Sequence, residues 1–109
     1  MGSNRRMDHM TWPEFKEVKT HPVIVPIGST EQHGQHLPIG TDAVLATRVA
    51  EDLAERIDGT VLPTLSYGYK SKPLSGGGPL FPGTIDMNGV TVITQMHDVL
   101  SELIADGFT

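Results

Sequence analysis

The sequence has 109 residues, a formal net charge of −5 and no cysteine. This length allows at most one small domain, and the lack of cysteine excludes disulfides and thiolate metal sites. The chain carries no block of like charge and no long apolar run, so we predict neither nucleic acid nor a membrane as a partner. The composition is compatible with the reducing cytoplasm, which is the location we predict.

The first nine residues are short, charged and without an apolar core, so we predict a disordered start or a leader over 1–9 and a folded part over 10–109. A helix begins after Thr11, because Thr11 and Glu14 have the spacing of a capping box and Pro13 is tolerated in a first turn. This helix should end before His21, because a residue that precedes proline avoids the helical region.

Residues 23–27 are almost continuously β-branched, which is typical of a strand buried in a parallel sheet, with an irregularity expected at Pro26. Residues 42–57 predict the clearest helix, and Gly59 is expected as its left-handed cap. The apolar stripe that should bury this helix recurs every four residues at Leu45, Val49, Leu53 and Ile57, and Ala46 and Ala50 widen it. Residues 60–65 predict a second strand, so the three elements form a βαβ unit.

Residues 66–84 hold five Gly and three Pro without periodicity, which predicts a long functional or disordered loop. A third helix should start at Asn88 and end at Gly107, with His97 on its surface. Its buried face is expected to consist of Ile93, Met96, Leu100, Leu103 and Ile104. Phe108 would begin a third strand, so the chain is typical of the N-terminal part of a larger α/β fold.

The candidate chemistry lies in residues 27–42, just past the carboxyl end of the first predicted strand, where open α/β sheets usually place their sites. Glu31 and His33 are two positions apart, so in extended backbone their side chains point the same way. A carboxylate and an imidazole together suit zinc or manganese, and Asp42 could bridge two such ions. Two simpler interpretations stay open, because Asp42 could be a helix cap and His33 a solvated loop residue.

The run from Ser75 to Gly78 in the long loop permits three interpretations. It could be a flexible connector. A phosphate-binding loop is disfavoured, because no Gly-Lys-Ser/Thr follows and no helix starts directly after the glycines. The third interpretation is a wall of a substrate pocket, where glycines such as Gly76 and Gly77 let backbone amides approach a small polar ligand closely, and Tyr67 and Tyr69 can supply rings.

The ordered motifs of the chain resemble the creatininase (creatinine amidohydrolase) family from about Met10 onward. They are Thr11-Trp12-Pro13-Glu14, Pro26-Ile27-Gly28-Ser29-Thr30-Glu31-Gln32-His33-Gly34, His36-Leu37-Pro38, Gly40-Thr41-Asp42, Tyr67-Gly68-Tyr69-Lys70-Ser71, Ser75-Gly76-Gly77-Gly78 and Phe81-Pro82-Gly83-Thr84. The resemblance covers the N-terminal portion of such a protein, and it implies a three-layer α/β/α fold with a mostly parallel sheet.

For the site, the resemblance implies Glu31, His33 and Asp42 as ligands of two divalent ions, zinc and/or manganese, with Asp42 bridging them. It implies a further His and Glu ligand in motifs that this sequence lacks, so the chain looks truncated and 1–109 alone should be inactive. It also places the serine before the glycines, here Ser75, in the substrate pocket, and it implies a homohexamer. No residue is assigned as general acid or base, and we expect that group beyond Thr109.

The hypothesis is therefore a dinuclear metal amidohydrolase that reversibly opens the cyclic amide of creatinine to give creatine, and the segment from Tyr67 to Thr84 favours this substrate. One alternative is another hydrolase of the same family, acting on a formamide or on a peptide-derived precursor. A second alternative, of a different class, is a non-catalytic fragment or interaction module that keeps the opening of the fold without a working site.

Overall fold

The computed structural model describes residues 4–18, 21–70 and 81–108. In chain order it contains a short 3₁₀ helix (Met7–His9), α1 (Trp12–Glu17), β1 (Val23–Ile24), α2 (Thr41–Ile57), β2 (Thr60–Val61) and α3 (Gly89–Asp106). The predicted βαβ unit is present as β1, α2 and β2. The capping box of α1 is also present, because the backbone N–H of Thr11 donates to the Glu14 carboxylate at 2.9 Å.

The two strands pair in parallel, with Val23 opposite Thr60 and Ile24 opposite Val61. The ladder is interrupted near Pro26, as predicted, and it resumes at a parallel bridge between Ile27 and Leu65. Leu65 N donates to Pro26 O at 2.9 Å, and Gly28 N donates to Leu65 O at 3.0 Å. These two bonds fix the direction in which the chain leaves the carboxyl end of β1.

Helices cover both faces of this small sheet, which makes three layers. Ile24 and Val61 point to one face, where they pack against the small side chains of α2, Ala50 and Ala54. The other face is covered by a cluster made of Leu62, Leu103 and Phe108, with Met7, Phe15, Val23, Val25 and Val99 packed against it. The rings of Phe15 and Phe108 lie 5.5 Å apart between centroids, so α1 and the end of α3 close this layer together.

Arg5 and Arg6, within the stretch where a disordered start or a leader is predicted, pair with the sheet. Val61 N donates to Arg5 O at 2.8 Å, and Arg6 forms a parallel bridge with Val61. The guanidinium of Arg5 also donates to the Asp58 carboxylate at 2.8 Å. The physical reason is the open edge of β2, whose backbone N–H groups need acceptors that the N-terminal segment supplies.

Two expectations for α2 are wrong. Asp58, not Gly59, adopts the left-handed conformation after the helix, with φ of 56°; a short polar side chain tolerates this region. The larger residues of the predicted stripe are not buried, since Leu45 and Val49 are 58% and 65% exposed. The side chains of α2 that pack against the sheet are Ala50, which widens the predicted stripe, and Ala54.

The third helix follows the prediction at its ends but not on its buried face. Asn88 precedes the first turn, and Gly107 adopts the left-handed conformation with φ of 110°. Leu103 is buried, whereas Ile93 and Ile104 are 70% and 69% exposed. No helix in the described part of the chain is both long and apolar enough to cross a membrane.

Candidate metal centre

The segment that carries Glu31 and His33 is fixed through its backbone. Glu31 N donates to Ile39 O at 3.0 Å, so the loop folds back on itself before α2. Gln32 N, the amide between the two candidate ligands, donates to the hydroxyl of Thr84 at 2.9 Å. These bonds set the direction of the two flanking side chains, because they fix the peptide planes on which those side chains stand.

Asp42 lies at the second position of α2, after the N-cap residue Gly40. The helix start is anchored by a bond from Thr41 N to Pro38 O at 3.2 Å and by a shorter bond from the Thr41 hydroxyl to the same oxygen at 2.6 Å. Asp42 is therefore not the N-cap that the simpler interpretation of its position required. Its carboxylate points towards the loop instead.

Gly28 allows the loop to lie directly against the first turn of α2. A Cβ atom at this position would stand 2.5 Å from the carbonyl carbon of Asp42 and 2.6 Å from the amide nitrogen of Ala43. Real Cβ atoms do not approach backbone that closely, so any other residue at Gly28 would separate the two segments. This contact determines how near the Asp42 side chain comes to Glu31 and His33.

All three predicted ligand residues come together. One ligand atom from each of Glu31, His33 and Asp42 lies within 4.8 Å of the others, and each residue is half-buried. Nε2 of His33 is 3.2 Å from Oδ1 of Asp42. Among the described residues, these three are the acidic and imidazole side chains whose ligand atoms lie close enough together to hold one metal ion.

The electrostatics of the group favour a cation. Hydrogen bonding to Asp42 raises the pKa of Glu31 above its ordinary value, and burial and the negative charges of Asp42 and Asp86 act in the same direction. The charge of His33 opposes this shift. Carboxylates held this close repel each other when both are ionised, and a divalent ion between them would remove the repulsion.

The donor set fits a zinc or manganese ion, since carboxylate oxygen and imidazole nitrogen are common ligands of both. His33 Nδ1 is buried without a hydrogen-bond partner among the described residues. A buried polar atom of this kind calls for an explanation such as a bound ion or water. Three protein ligands are one fewer than the four that are usual for structural zinc.

The predicted substrate residues Ser75, Gly76 and Gly77 fall within residues 71–80, which lie outside the described part of the chain. Two aromatic rings that precede this stretch, those of Tyr67 and Tyr69, are 48% and 53% exposed. His97 lies exposed on α3, 3.5 Å from the Asp98 carboxylate, as the sequence predicted for a surface residue.

Sequence reasoning missed Gly28, Thr84 and Asp86 as neighbours of the site. The contacts of Thr84 and Asp86 join residues more than fifty positions apart in the chain, and no local spacing encodes them. Gly28 had a weak signal, because it is a glycine that follows directly on a strand, where close backbone approach is common.

Sequence comparison assigns the chain to a family. The sequence model of the creatinine amidohydrolase family matches residues 8–109. The chain belongs to the creatininase family. It is 40% identical over 101 residues to creatinine amidohydrolase of Pseudomonas putida, a match that covers 90% of this chain and 39% of that enzyme.

Other members of the creatininase family are also similar. The chain is 35% identical over 86 residues to 3-dehydro-scyllo-inosose hydrolase of Thermotoga maritima, which covers 79% of this chain and 26% of that protein. It is 42% identical over 71 residues to the mycofactocin precursor peptide peptidase of Mycolicibacterium smegmatis, which covers 60% of this chain and 27% of that protein. The chain thus spans between about a quarter and two fifths of the length of these relatives.

Solved creatininase structures have the same fold, which confirms the α/β prediction. A creatininase containing manganese superimposes with a TM-score of 0.88 at 37% identity, over 97% of this chain and 42% of that one. A creatininase mutant complexed with creatine gives a TM-score of 0.88 at 38% identity, with the same coverage. A zinc–zinc form of a mutant gives 0.87 at 37% identity, again over 97% of this chain and 42% of that one.

Gly28→Ala should separate the loop from α2. The added methyl group overlaps the backbone at Asp42, so we expect unfolding to become easier by about 1–3 kcal/mol and zinc binding to weaken by roughly 10-fold. Denaturant unfolding and a zinc titration measure the two effects. Gly40→Ala is the matched control, because a Cβ atom there meets nothing within 4 Å. Parental zinc affinity in the Gly28→Ala variant would contradict this account of the contact.

Glu31→Gln should make the metal-free protein more stable at neutral pH. Because the folded pKa of Glu31 is raised above the ordinary value of 4.5, the folded state holds this proton more tightly than the unfolded state. Stability is therefore lost as pH rises from the ordinary value through the folded pKa, and the loss persists at pH 7. Glutamine removes the charge and keeps a hydrogen-bond donor for Asp42.

The measurement is the free energy of unfolding from pH 4 to pH 8 in the presence of a chelator. Glu55→Gln, at an exposed position on α2, is the control for loss of a surface charge. If parent and Glu31→Gln variant show the same pH dependence, the two carboxylates do not interact in the metal-free protein.

Proposed function

We propose that this chain supplies ligands for the metal centre of an amide hydrolase whose substrate is creatinine. The observation that carries the proposal is the convergence of Glu31, His33 and Asp42 within 4.8 Å in a member of the creatininase family. Creatininase structures with manganese and with zinc support divalent ions as the cofactor. The number of ions proposed here, two, rests on the bridging position expected for Asp42.

Each residue contributes a defined property to this centre. Glu31 and Asp42 would bind the metal through carboxylates whose mutual repulsion it relieves, and Asp42 is held in place by the first turn of α2. His33 would bind as a neutral imidazole, with one nitrogen beside Asp42 and the other buried. When bound, divalent ions lower the pKa of a water molecule to near neutrality and polarise a carbonyl oxygen.

The chain's own contribution to the reaction is binding and orientation. The loop backbone and α2 hold the ligands from two directions, so the centre forms at the carboxyl end of β1, where α/β folds bind small molecules. The leaving nitrogen of a cyclic amide also needs a proton donor. No residue is assigned to this role here, and the donor expected beyond Thr109 stays a prediction, as do the hexamer and the cytoplasmic location.

Similarity favours creatinine over the other substrates of the family. The match to the Pseudomonas creatinine amidohydrolase covers 90% of this chain, against 79% and 60% for the inosose hydrolase and the peptidase. The match to the peptidase, at 42% identity, keeps a peptide-derived substrate as the second candidate. Turnover of creatinine, of a formamide and of a short peptide by the zinc- or manganese-loaded complete protein separates the candidates.

Asp42→Asn should lose metal and activity together, because a neutral amide is a poor replacement for a carboxylate between cations. The helix should survive, since Asp42 is not its cap. Elemental analysis of the complete protein, with circular dichroism as the check on folding, measures both. Asp52→Asn, at an exposed position of the same helix, is the matched control. Full metal occupancy in the Asp42→Asn variant would remove Asp42 from the centre.

Ser75→Ala should weaken creatinine turnover without changing metal binding. A hydrogen bond to an uncharged partner contributes about 0.5–1.5 kcal/mol, so kcat/KM should fall roughly 2- to 13-fold at about 1.4 kcal/mol per decade. Ser101→Ala on α3 makes the same change far along the chain and is the control. If the Ser75→Ala variant hydrolyses creatinine like the parent, Ser75 does not contact the substrate.

A further inference from the structure

A second segment of the chain lies along the loop that carries the candidate ligands. Ile85 N donates to Thr30 O at 2.9 Å, and one residue earlier the Thr84 hydroxyl accepts from Gln32 N at 2.9 Å. Thr84 itself is anchored by a turn, in which its N–H donates to Phe81 O at 3.2 Å. The two segments are thus joined by one backbone bond and one side-chain bond.

The bond from Gln32 N to the Thr84 hydroxyl lies between the two candidate ligands in the chain. Gln32 N belongs to the peptide plane between Glu31 and Gln32, so its direction sets the backbone angles that orient Glu31 relative to His33. In extended backbone the residue between two same-facing side chains faces the other way. The hydroxyl of Thr84 therefore holds the backbone between the two ligands and contacts neither ligand side chain through this bond.

We propose that Thr84 is a positioning residue for the Glu31–His33 pair, and that its hydroxyl sets the geometry in which both bind metal; this inference rests on the proposed function. Thr84 touches neither substrate nor metal in this role, since it acts through the Gln32 amide. Removal of its hydroxyl leaves a half-buried N–H without its acceptor, and the loop can then rotate.

The structure allows the hydroxyl to be tested alone. The bond from Ile85 N to Thr30 O involves backbone only, so it survives a change of side chain at position 84. Thr84→Val keeps the shape and removes the acceptor, whereas Thr84→Ser keeps the acceptor and removes a methyl group. Thr94→Val is the matched control, because the exposed Thr94 hydroxyl bonds within its own helix, to Val90 O at 2.8 Å.

The experiment measures zinc affinity of the complete protein by competition with a coloured chelator. The Thr84→Val variant should bind zinc about 10-fold more weakly, as is common when a residue that orients a ligand is removed. Thr84→Ser and Thr94→Val should stay within about 2-fold of the parent. In the metal-free protein, amide hydrogen exchange at Gln32 should become faster in the Thr84→Val variant and not in the Thr84→Ser variant.

Three results would overturn the proposal. The first is parental zinc affinity in the Thr84→Val variant, and the second is equal loss in the serine and valine variants, which would assign the effect to the methyl group. If the valine variant does not fold, Thr84→Cys replaces it, because sulfur is a weak acceptor of similar size. Parental affinity in that variant is the third overturning result, and reduced affinity beside a parental serine variant supports the proposal.

Failure of the proposed function would give a different pattern of zinc affinities among the variants. If the parent binds no zinc, or if Glu31→Gln and Asp42→Asn bind it as the parent does, the metal centre is wrong and the positioning role fails with it. If zinc binding depends on Glu31 and Asp42 but not on the Thr84 hydroxyl, only the positioning role fails.

Discussion

The candidate centre depends on one close contact, that of Gly28 with the first turn of α2. There is no room for a side chain between the two segments, since a Cβ atom would stand 2.5 Å from the Asp42 carbonyl carbon. This contact places a helix-borne carboxylate beside a loop-borne carboxylate and imidazole. Carboxylates crowded in this way repel each other when both are ionised, and a divalent cation between them would relieve that repulsion, so the same packing constraint shapes both the fold and the proposed chemistry.

The sequence predicted the parts of the fold that local rules determine. The capping box at Thr11 and Glu14, the break of the ladder at Pro26 and the left-handed Gly107 each follow from residues that are neighbours in the chain. Even so, one local choice was wrong at Asp58. Glycine usually holds the left-handed position after a helix, but here Asp58 holds it, because a short polar side chain tolerates this conformation.

What the sequence could not predict depends on contacts between distant residues. The spacing of Glu31 and His33 indicated a shared direction, yet the distance to Asp42 depends on the packing at Gly28, and the Thr84 bond spans 52 positions. The prediction that the large apolar residues of the helices are buried was wrong for a related reason. Periodicity identifies an apolar stripe but not its partner, and in α2 the side that approaches the sheet is the one with small residues, Ala50 and Ala54.

The pairing of Arg5 and Arg6 with the edge of β2 has a consequence for anyone who prepares this protein. The segment runs parallel to β2, and Arg5 contacts Asp58 and Gly59 just before that strand. The chain therefore enters the sheet at the amino ends of the strands, whereas the candidate centre lies past their carboxyl ends. An affinity tag fused ahead of Asn4 would be attached at the end of the sheet remote from the centre, where a histidine tag has least opportunity to donate ligands to it.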